Sequence, residues 1–320
     1  MSAAPLKNII IAGVGSIGAP ILAALLAEPS FTVTILTRET SRAQFPANIP
    51  VREVSDTFTV EELTAAFKGQ DAVVVAISTT PVAKDDLAFK LIDAAVAAGV
   101  RRFVPSEFAA NNLDPLARKL VPVYDAKGRM LEYLIRKAGE SEGRLTWTSF
   151  SCGSWLDWAL NPSKSGNFLG IDIKARRAAI WDSGRSTFST TTSRTTGEAV
   201  ARALSPAHFQ STANRQIFLS DFVSSPRDIV EALEKEIGEK FAIEQKESRS
   251  EVERLRERFE GGDFNATYPL IALSFVADVD VELNFAAKYG EDAMWNDKLG
   301  VKKVTLEEVV KEAVELSRQS

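Results

Sequence analysis

Residues Ile9 to Ala27 carry no charge. As one helix their nineteen residues would cover roughly 28 Å, the thickness of a bilayer core. Gly13, Gly15 and Gly18, with Pro20, divide that stretch in two. A β-branched strand (Asn8 to Ala12), a glycine turn and a buried helix (Ala19 to Ala27) account for it better than a membrane span. A signal peptide fits no better, because no small-residue cleavage site followed by polar sequence appears. The turn Gly13-Val14-Gly15-Ser16-Ile17-Gly18 fits G-x-G-x-x-G directly after a strand and at the opening of a helix, the context that gives the pattern meaning. Gly13 makes the tight turn, Gly15 lets the backbone approach a pyrophosphate, and Gly18 allows close helix packing. The helix start, at Ser16 and Ile17, offers unpaired N–H groups to phosphates.

The same alternation continues to about residue 150. Strands are expected at Phe31 to Thr37, Val51 to Val54, Asp71 to Ile77, Arg102 to Val104 and Leu145 to Phe150. Helices are expected at Thr59 to Lys68, Leu87 to Ala98 and Leu116 to Ala138, the last interrupted near Pro122. Strands as uniformly apolar as Asp71 to Ile77 have both faces covered, as in a parallel sheet. The expected fold class is α/β: a Rossmann-type, doubly wound parallel sheet over residues 1–151, followed by a smaller α+β substrate-binding part over 152–320. In that second part Ala178 to Trp181, Thr187 to Thr191 and Gln216 to Leu219 read as strands, and segments around 178–222 are expected to return to the main sheet. Gly197 to Leu204 and Arg227 to Ile237 read as helices. Capping boxes predict two more, from Ser250 with Glu253 and from Thr305 with Glu308.

Scarce residues remove whole chemistries. One Cys (Cys152) and one His (His208) cannot assemble a structural or catalytic zinc site, and no metal is expected. No disulfide forms within the chain, which fits a reducing, cytoplasmic location. A Ser-His-Asp triad would have to use His208, in an irregular stretch after Ser-Pro-Ala. The net charge is −5, and 38 Lys and Arg are interspersed with 43 Asp and Glu without a basic block. Nucleic acid and anionic membrane surfaces are therefore disfavoured as partners. A small molecule remains, and a monomer and a homodimer stay equally open.

The end of the second strand distinguishes the nicotinamide cofactors. An NAD enzyme usually has an acidic residue here for the ribose 2′-OH, whereas this chain has Thr37-Arg38-Glu39-Thr40-Ser41-Arg42. Arg38 and Arg42 can grip a 2′-phosphate and Ser41 can donate to it, so NADPH/NADP is the expected cofactor, with Glu39 keeping NAD open. Ser78, Thr79 and Thr80 end the fourth strand at the ligand-bearing edge. Their hydroxyls either face the cofactor or form an ordinary polar turn before Pro81.

Arg102-Phe103-Val104-Pro105-Ser106-Glu107-Phe108, followed by Tyr124-Asp125-Ala126-Lys127-Gly128-Arg129, resembles the Pro-Ser-Glu-Phe-Gly segment and downstream lysine of the isoflavone reductase-like, NmrA-like atypical short-chain dehydrogenases. Gly13 to Gly18, Thr37-Arg38-Glu39, Trp181-Asp182-Ser183-Gly184 and Ser224 to Ile229 extend the resemblance over essentially the whole chain. It implies an NADPH-dependent reductase with Lys127 as the catalytic lysine, and Phe108, Lys127, Ser151 and Cys152 at the cofactor. A lysine beside a nicotinamide can orient the ribose, neutralise charge developing on an oxygen, or donate a proton. Tyr124 stands three residues before Lys127 rather than four, about 100° from the usual Tyr-x-x-x-Lys position, and is a weak candidate acid.

The sequence departs from the family at Ala12 and Ala109, each in place of a glycine, and at Ser151-Cys152-Gly153, where the family commonly has Asn-Cys-Phe. Cys152 reads as a packed residue rather than a nucleophile, having no basic neighbour in sequence. Trp155, Trp158 and Trp181, with Phe168, either line a flat pocket for an aromatic or polycyclic substrate or anchor the smaller part on the larger, and Phe108 is a further candidate at the substrate. The expected activity is hydride transfer to an activated C=C, C=N or C=O bond of an aromatic or secondary-metabolite-like molecule. A dinucleotide-sensing regulator without turnover and a non-redox isomerase or cyclase are the competing readings.

Overall fold

The computed structural model describes residues 4–78, 86–165 and 167–319. The apolar runs of the first half become six strands: β1 (Asn8–Ala12), β2 (Thr32–Arg38), β3 (Val51–Val54), β4 (Ala72–Val75), β5 (Arg102–Val104) and β6 (Thr146–Ser151). The second half adds β7 (Ser154–Trp155), β8 (Ile171–Asp172), β9 (Arg177–Trp181), β10 (Phe188–Thr191), β11 (Arg215–Phe218), β12 (Phe222–Ser224) and β13 (Ala242–Lys246). Among the described residues, one sheet has the order β3-β2-β1-β4-β5-β6-β11, and each of its neighbouring pairs is parallel. The chain is thus a doubly wound, Rossmann-type α/β protein, whose strand order reverses between β1 and β4. Register places Ala12 beside both Leu36 and Val75, so the chain leaves β1, β2 and β4 at one edge. That edge, outside the carboxyl ends at the switch point, is where such sheets hold ligands.

Successive residues of β1 face opposite sides of the sheet. Ile9 and Ile11 pack with Ile21 and Leu25 of the helix Gly18–Ala27 and with Ala199 and Val200 of the helix Ser193–Leu204. Ile10 packs with Phe67, Leu91 and Leu131 from the helices Val60–Phe67, Leu87–Ala97 and Pro122–Glu140. Both faces are covered, which explains why β1 and β4 tolerate no polar alternation.

Of the strands between 178 and 222, β11 alone lies in the main sheet, pairing Phe218 with Ser151 of β6. β9 joins β8 and β13, and β10 joins β7 and β12, in two three-stranded sheets. A third core unites these with later helices, and Tyr124 contributes to it while Leu131 and Leu134 of the same helix serve the main sheet. The helix Pro122–Glu140 therefore spans the junction of the two halves.

Local signals set several boundaries. Val121 is extended because the residue before proline is excluded from the helical region, so the long helical stretch splits into Pro115–Leu120 and Pro122–Glu140. Thr59 and Glu62 form a reciprocal capping box, and Thr305 and Glu308 form the same pair of hydrogen bonds. The box expected at Ser250 does not form. The helix starts at Ser248, whose N–H donates 2.9 Å to Asp182 Oδ1 from a remote turn, leaving Ser250 in the first turn. The helix Thr267–Val276 carries no periodic signal because it is apolar almost throughout. Among the described residues, no helix is long and apolar enough to cross a membrane.

Candidate active site

A cleft lies at the carboxyl edge of β1 and β4 and runs under the second half of the chain. Gly15, Ser16, Ile17, Ser78, Phe108 and Lys127 line its sheet side, and Trp155, Trp158, Phe168 and Tyr268 line its far side. One cavity thus unites the glycine turn, the lysine and the aromatic residues singled out from sequence. Thr79 and Thr80 lie outside the described residues.

The glycine turn is built for a close approach. Gly13 has φ +92°, and a Cβ there would sit 2.7 Å from the Ala76 carbonyl oxygen; a Cβ on Gly18 would overlap Gly13 O. A Cβ on Gly15 would meet nothing within 4 Å, so open space stands in front of this backbone. The helix behind it has no side-chain cap at Ile17. Unsatisfied N–H groups facing open space fit a dinucleotide pyrophosphate.

At the end of β2, Arg38 is more than half exposed and pairs with Asp56 at 3.1 Å. Thr40 Oγ1 donates to the same carboxylate, and Ser41 Oγ accepts from Ala43 N–H at 3.3 Å. Arg38 ends β2, and Ser41 and Arg42 follow it beyond the cleft, on the edge where Gly13 follows β1. Such an exposed pair is worth only about 0–1 kcal/mol, so a phosphate can displace Asp56 from Arg38.

On the other side of the switch point, Ser106 Oγ donates 2.9 Å to Ile77 O, tying the loop after β5 to the one after β4. Phe108 has φ +40° and stacks on Phe150 with centroids 6.1 Å apart. Lys127, only 6% exposed, reaches this loop from its helix, and Nζ donates 3.1 Å to Glu107 O. The Glu107 side chain, 1% exposed, lines the same cavity and accepts from Asn112 Nδ2 at 2.8 Å. Glu107 belongs to the Pro105-Ser106-Glu107-Phe108 segment, and its burial is a tertiary fact. Burial pushes the Glu107 carboxyl up to about 7, against the pull of the Lys127 charge and the Asn112 hydrogen bond. Burial likewise pulls the Lys127 ammonium down, against the Glu107 charge. Burial thus disfavours the charged form of each group, while each charge favours that of the other.

Tyr124 places its ring at the cavity, while its hydroxyl is 3.2 Å from Ser274 Oγ on the helix Thr267–Val276. Burial raises this phenol above its ordinary range, which makes it a poorer acid. Ser151 and Cys152 stand behind the cavity wall rather than in it. Ser151 Oγ contacts Gln216 and Ala110, and buried Cys152 accepts a 3.1 Å hydrogen bond from Trp155 Nε1, orienting that indole. Burial pushes the Cys152 thiol up to about 12, so it stays neutral. Trp158 meets Phe168 edge to face at 5.2 Å, and its buried Nε1 has no partner. The helix Thr267–Val276 closes the cavity with Tyr268, Ile271 and Phe275. Its only sequence signal is an apolar run too long for a typical strand. Among the described residues, no group of three or more His, Cys, Asp or Glu could hold a metal ion.

A parallel sheet with a glycine turn at its switch point, opening on a buried lysine, is the arrangement of a dinucleotide-binding protein. A family model described as NAD(P)H-binding matches residues 13–166. "Oxidoreductase aprR" of Aspergillus flavus is 36% identical over 240 residues, covering 75% of this chain and 76% of that protein. The solved isoflavone reductase superposes with a TM-score of 0.66 at 20% identity, covering 96% of this chain and 99% of that one. "AtPrR2 with NADP+ and (+)pinoresinol" superposes with a TM-score of 0.69 at 16% identity, covering 98% and 100%. The chain belongs to this family of NAD(P)H-binding oxidoreductases and has the isoflavone reductase-like fold.

Proposed function

We propose that the protein is an NADPH-dependent reductase acting on an activated C=C, C=N or C=O bond of an aromatic small molecule. The observation that carries this reading is the single cavity in which Lys127 faces both the glycine cradle and an aromatic wall. Gly15, Ser16, Ile17 and Ser78 would hold the pyrophosphate, Arg38, Ser41 and Arg42 the 2′-phosphate, and Phe108 with Lys127 the nicotinamide end. When bound, the reduced cofactor supplies a hydride. Lys127 stabilises charge developing on a substrate oxygen and can return a proton to it from Nζ. Trp155, Trp158, Phe168 and Tyr268 exclude water and stack a flat ring, and the unpartnered Trp158 N–H offers a donor for a substrate oxygen or nitrogen. The neighbour solved with (+)pinoresinol supports an aromatic ligand.

NADPH oxidation across a panel of aromatic enones, imines and carbonyls tests the proposal. Consumption with at least one class is expected. Comparable binding of NADP+ and NADPH with no consumption would instead support a dinucleotide-sensing regulator. Arg38→Ala is expected to weaken NADPH binding about 10- to 100-fold, the equivalent of one charge-assisted contact to phosphate, and to leave NADH binding nearly unchanged. Titration of the variant with both cofactors checks this, and equal losses would reject the 2′-phosphate role.

A further inference from the structure

Glu107 and Asn112 share one hydrogen bond, from Asn112 Nδ2 to Glu107 Oε2 at 2.8 Å. The other oxygen of each side chain, Glu107 Oε1 and Asn112 Oδ1, is buried with no partner. A carboxylate oxygen and an amide oxygen are both acceptors and cannot satisfy each other. Exchanging the amide's N and O only moves the conflict to Oε2. A proton on Oε1 supplies a donor that the ionised side chain lacks. Leaving buried polar atoms unpaired is costly, so the neutral acid is the form this pocket favours.

We propose that Glu107, held as a neutral acid against Asn112, is the positioning residue that governs the charge on the Lys127 amine. The two side chains line one cavity, and the Lys127 amine is anchored to the Glu107 main chain. Loss of the Glu107 proton to solvent breaks one O–H bond and leaves a carboxylate beside the amine. That carboxylate holds Lys127 as an ammonium, ready to stabilise or protonate a substrate oxygen. The other titratable groups at this wall, Tyr124 on the same helix and Cys152 after β6, are kept neutral by burial. Arg118 and Asp125 pair with each other at 2.8 Å. Glu107 is thus the one anion available to Lys127 among the groups named. A purely structural role would be met as well by glutamine, whose amide brings both an acceptor and a donor and cannot ionise.

The inference rests on Lys127 being the working lysine of the proposed reductase, and its test reads Lys127 without turnover. In the full chain with 13Cε-labelled lysine, the Lys127 resonance, assigned by its loss in Lys127→Met, is titrated by NMR. Glu107→Gln is expected to lower the Lys127 midpoint by about one pH unit or more, as removal of a nearby opposite charge does. Glu107→Asp is expected to keep it near the unsubstituted value. An unchanged midpoint in Glu107→Gln overturns the proposal. A second measurement needs no substitution at 107: the 13Cδ resonance of Glu107 should titrate near neutral pH, and at higher pH in Lys127→Met. A midpoint in the ordinary carboxylate range overturns the proposal as well. If the Lys127 midpoint moves but the basic limb of NADPH oxidation does not follow, control by Glu107 stands and the role of Lys127 in turnover fails.

Discussion

Lys127→Met is expected to lower NADPH-consuming turnover by about 10²- to 10⁴-fold, the range lost when a positioned acid or base is removed. Methionine keeps an unbranched stem of similar length in a side chain that is almost fully buried, so the helix Pro122–Glu140 retains its packing. What disappears is the amine that donates to Glu107 O and faces the cavity. The glycine turn at Gly15 to Ile17 and the basic segment at the end of β2 lie on other elements, so NADPH affinity should fall far less than turnover. Steady-state NADPH oxidation and a direct binding titration separate the two effects. Full turnover would defeat the assignment of Lys127. Equal loss of binding and turnover would make it a cofactor anchor instead of a participant in the chemistry.

Gly153→Ala is expected to destabilise the fold by about 3 kcal/mol or more, roughly a 5 °C fall in Tm for a chain of this size. Gly153 has φ +64°, a region that L side chains rarely adopt, and an added Cβ would overlap the carbonyl oxygen of Ser189. Neither side can yield. The N–H groups of Cys152 and Gly153 both donate to Ala109 O, at 3.0 and 3.1 Å. Ser189 lies in β10, pinned between β7 and β12. The departure from the family at Ser151-Cys152-Gly153 thus has a steric reason, since β10 crosses directly over this residue. Gly15→Ala is the informative contrast. Its Cβ would meet nothing, so the melting temperature should hold while NADPH binding weakens. Thermal denaturation of both variants checks the pair. A Gly153→Ala protein that melts with the parent would show that the β7–β10 contact gives way easily.

How much of this was legible in sequence depends on the range of the interaction. The parallel sheet, the glycine turn, the Thr59 and Thr305 caps and the break before Pro122 follow from residues within a few positions of one another. Lys127, Phe108, Trp155, Trp158 and Phe168 were singled out by motif or composition, and the fold brings them to one cavity. The misplaced helix start is instructive. A plausible local box at Ser250 lost to Asp182, which lies more than sixty positions earlier and satisfies the N–H of Ser248. Arg38 reads in sequence as a residue that can grip a 2′-phosphate, and Asp56, eighteen positions away, pairs with it in this structure. Glu107 looked like one more acidic residue, and only its seat beneath Lys127 and Asn112 makes its protonation matter. Sequence by itself determined the six strands of the first half and the glycine turn, because backbone sterics, capping and apolar periodicity act over a few residues, whereas Lys127 was picked out by the family resemblance. Tertiary structure decided which half of the chain closes the cleft, which polar atoms lose water and what charge they carry, because desolvation and close contact are set by residues distant in the chain.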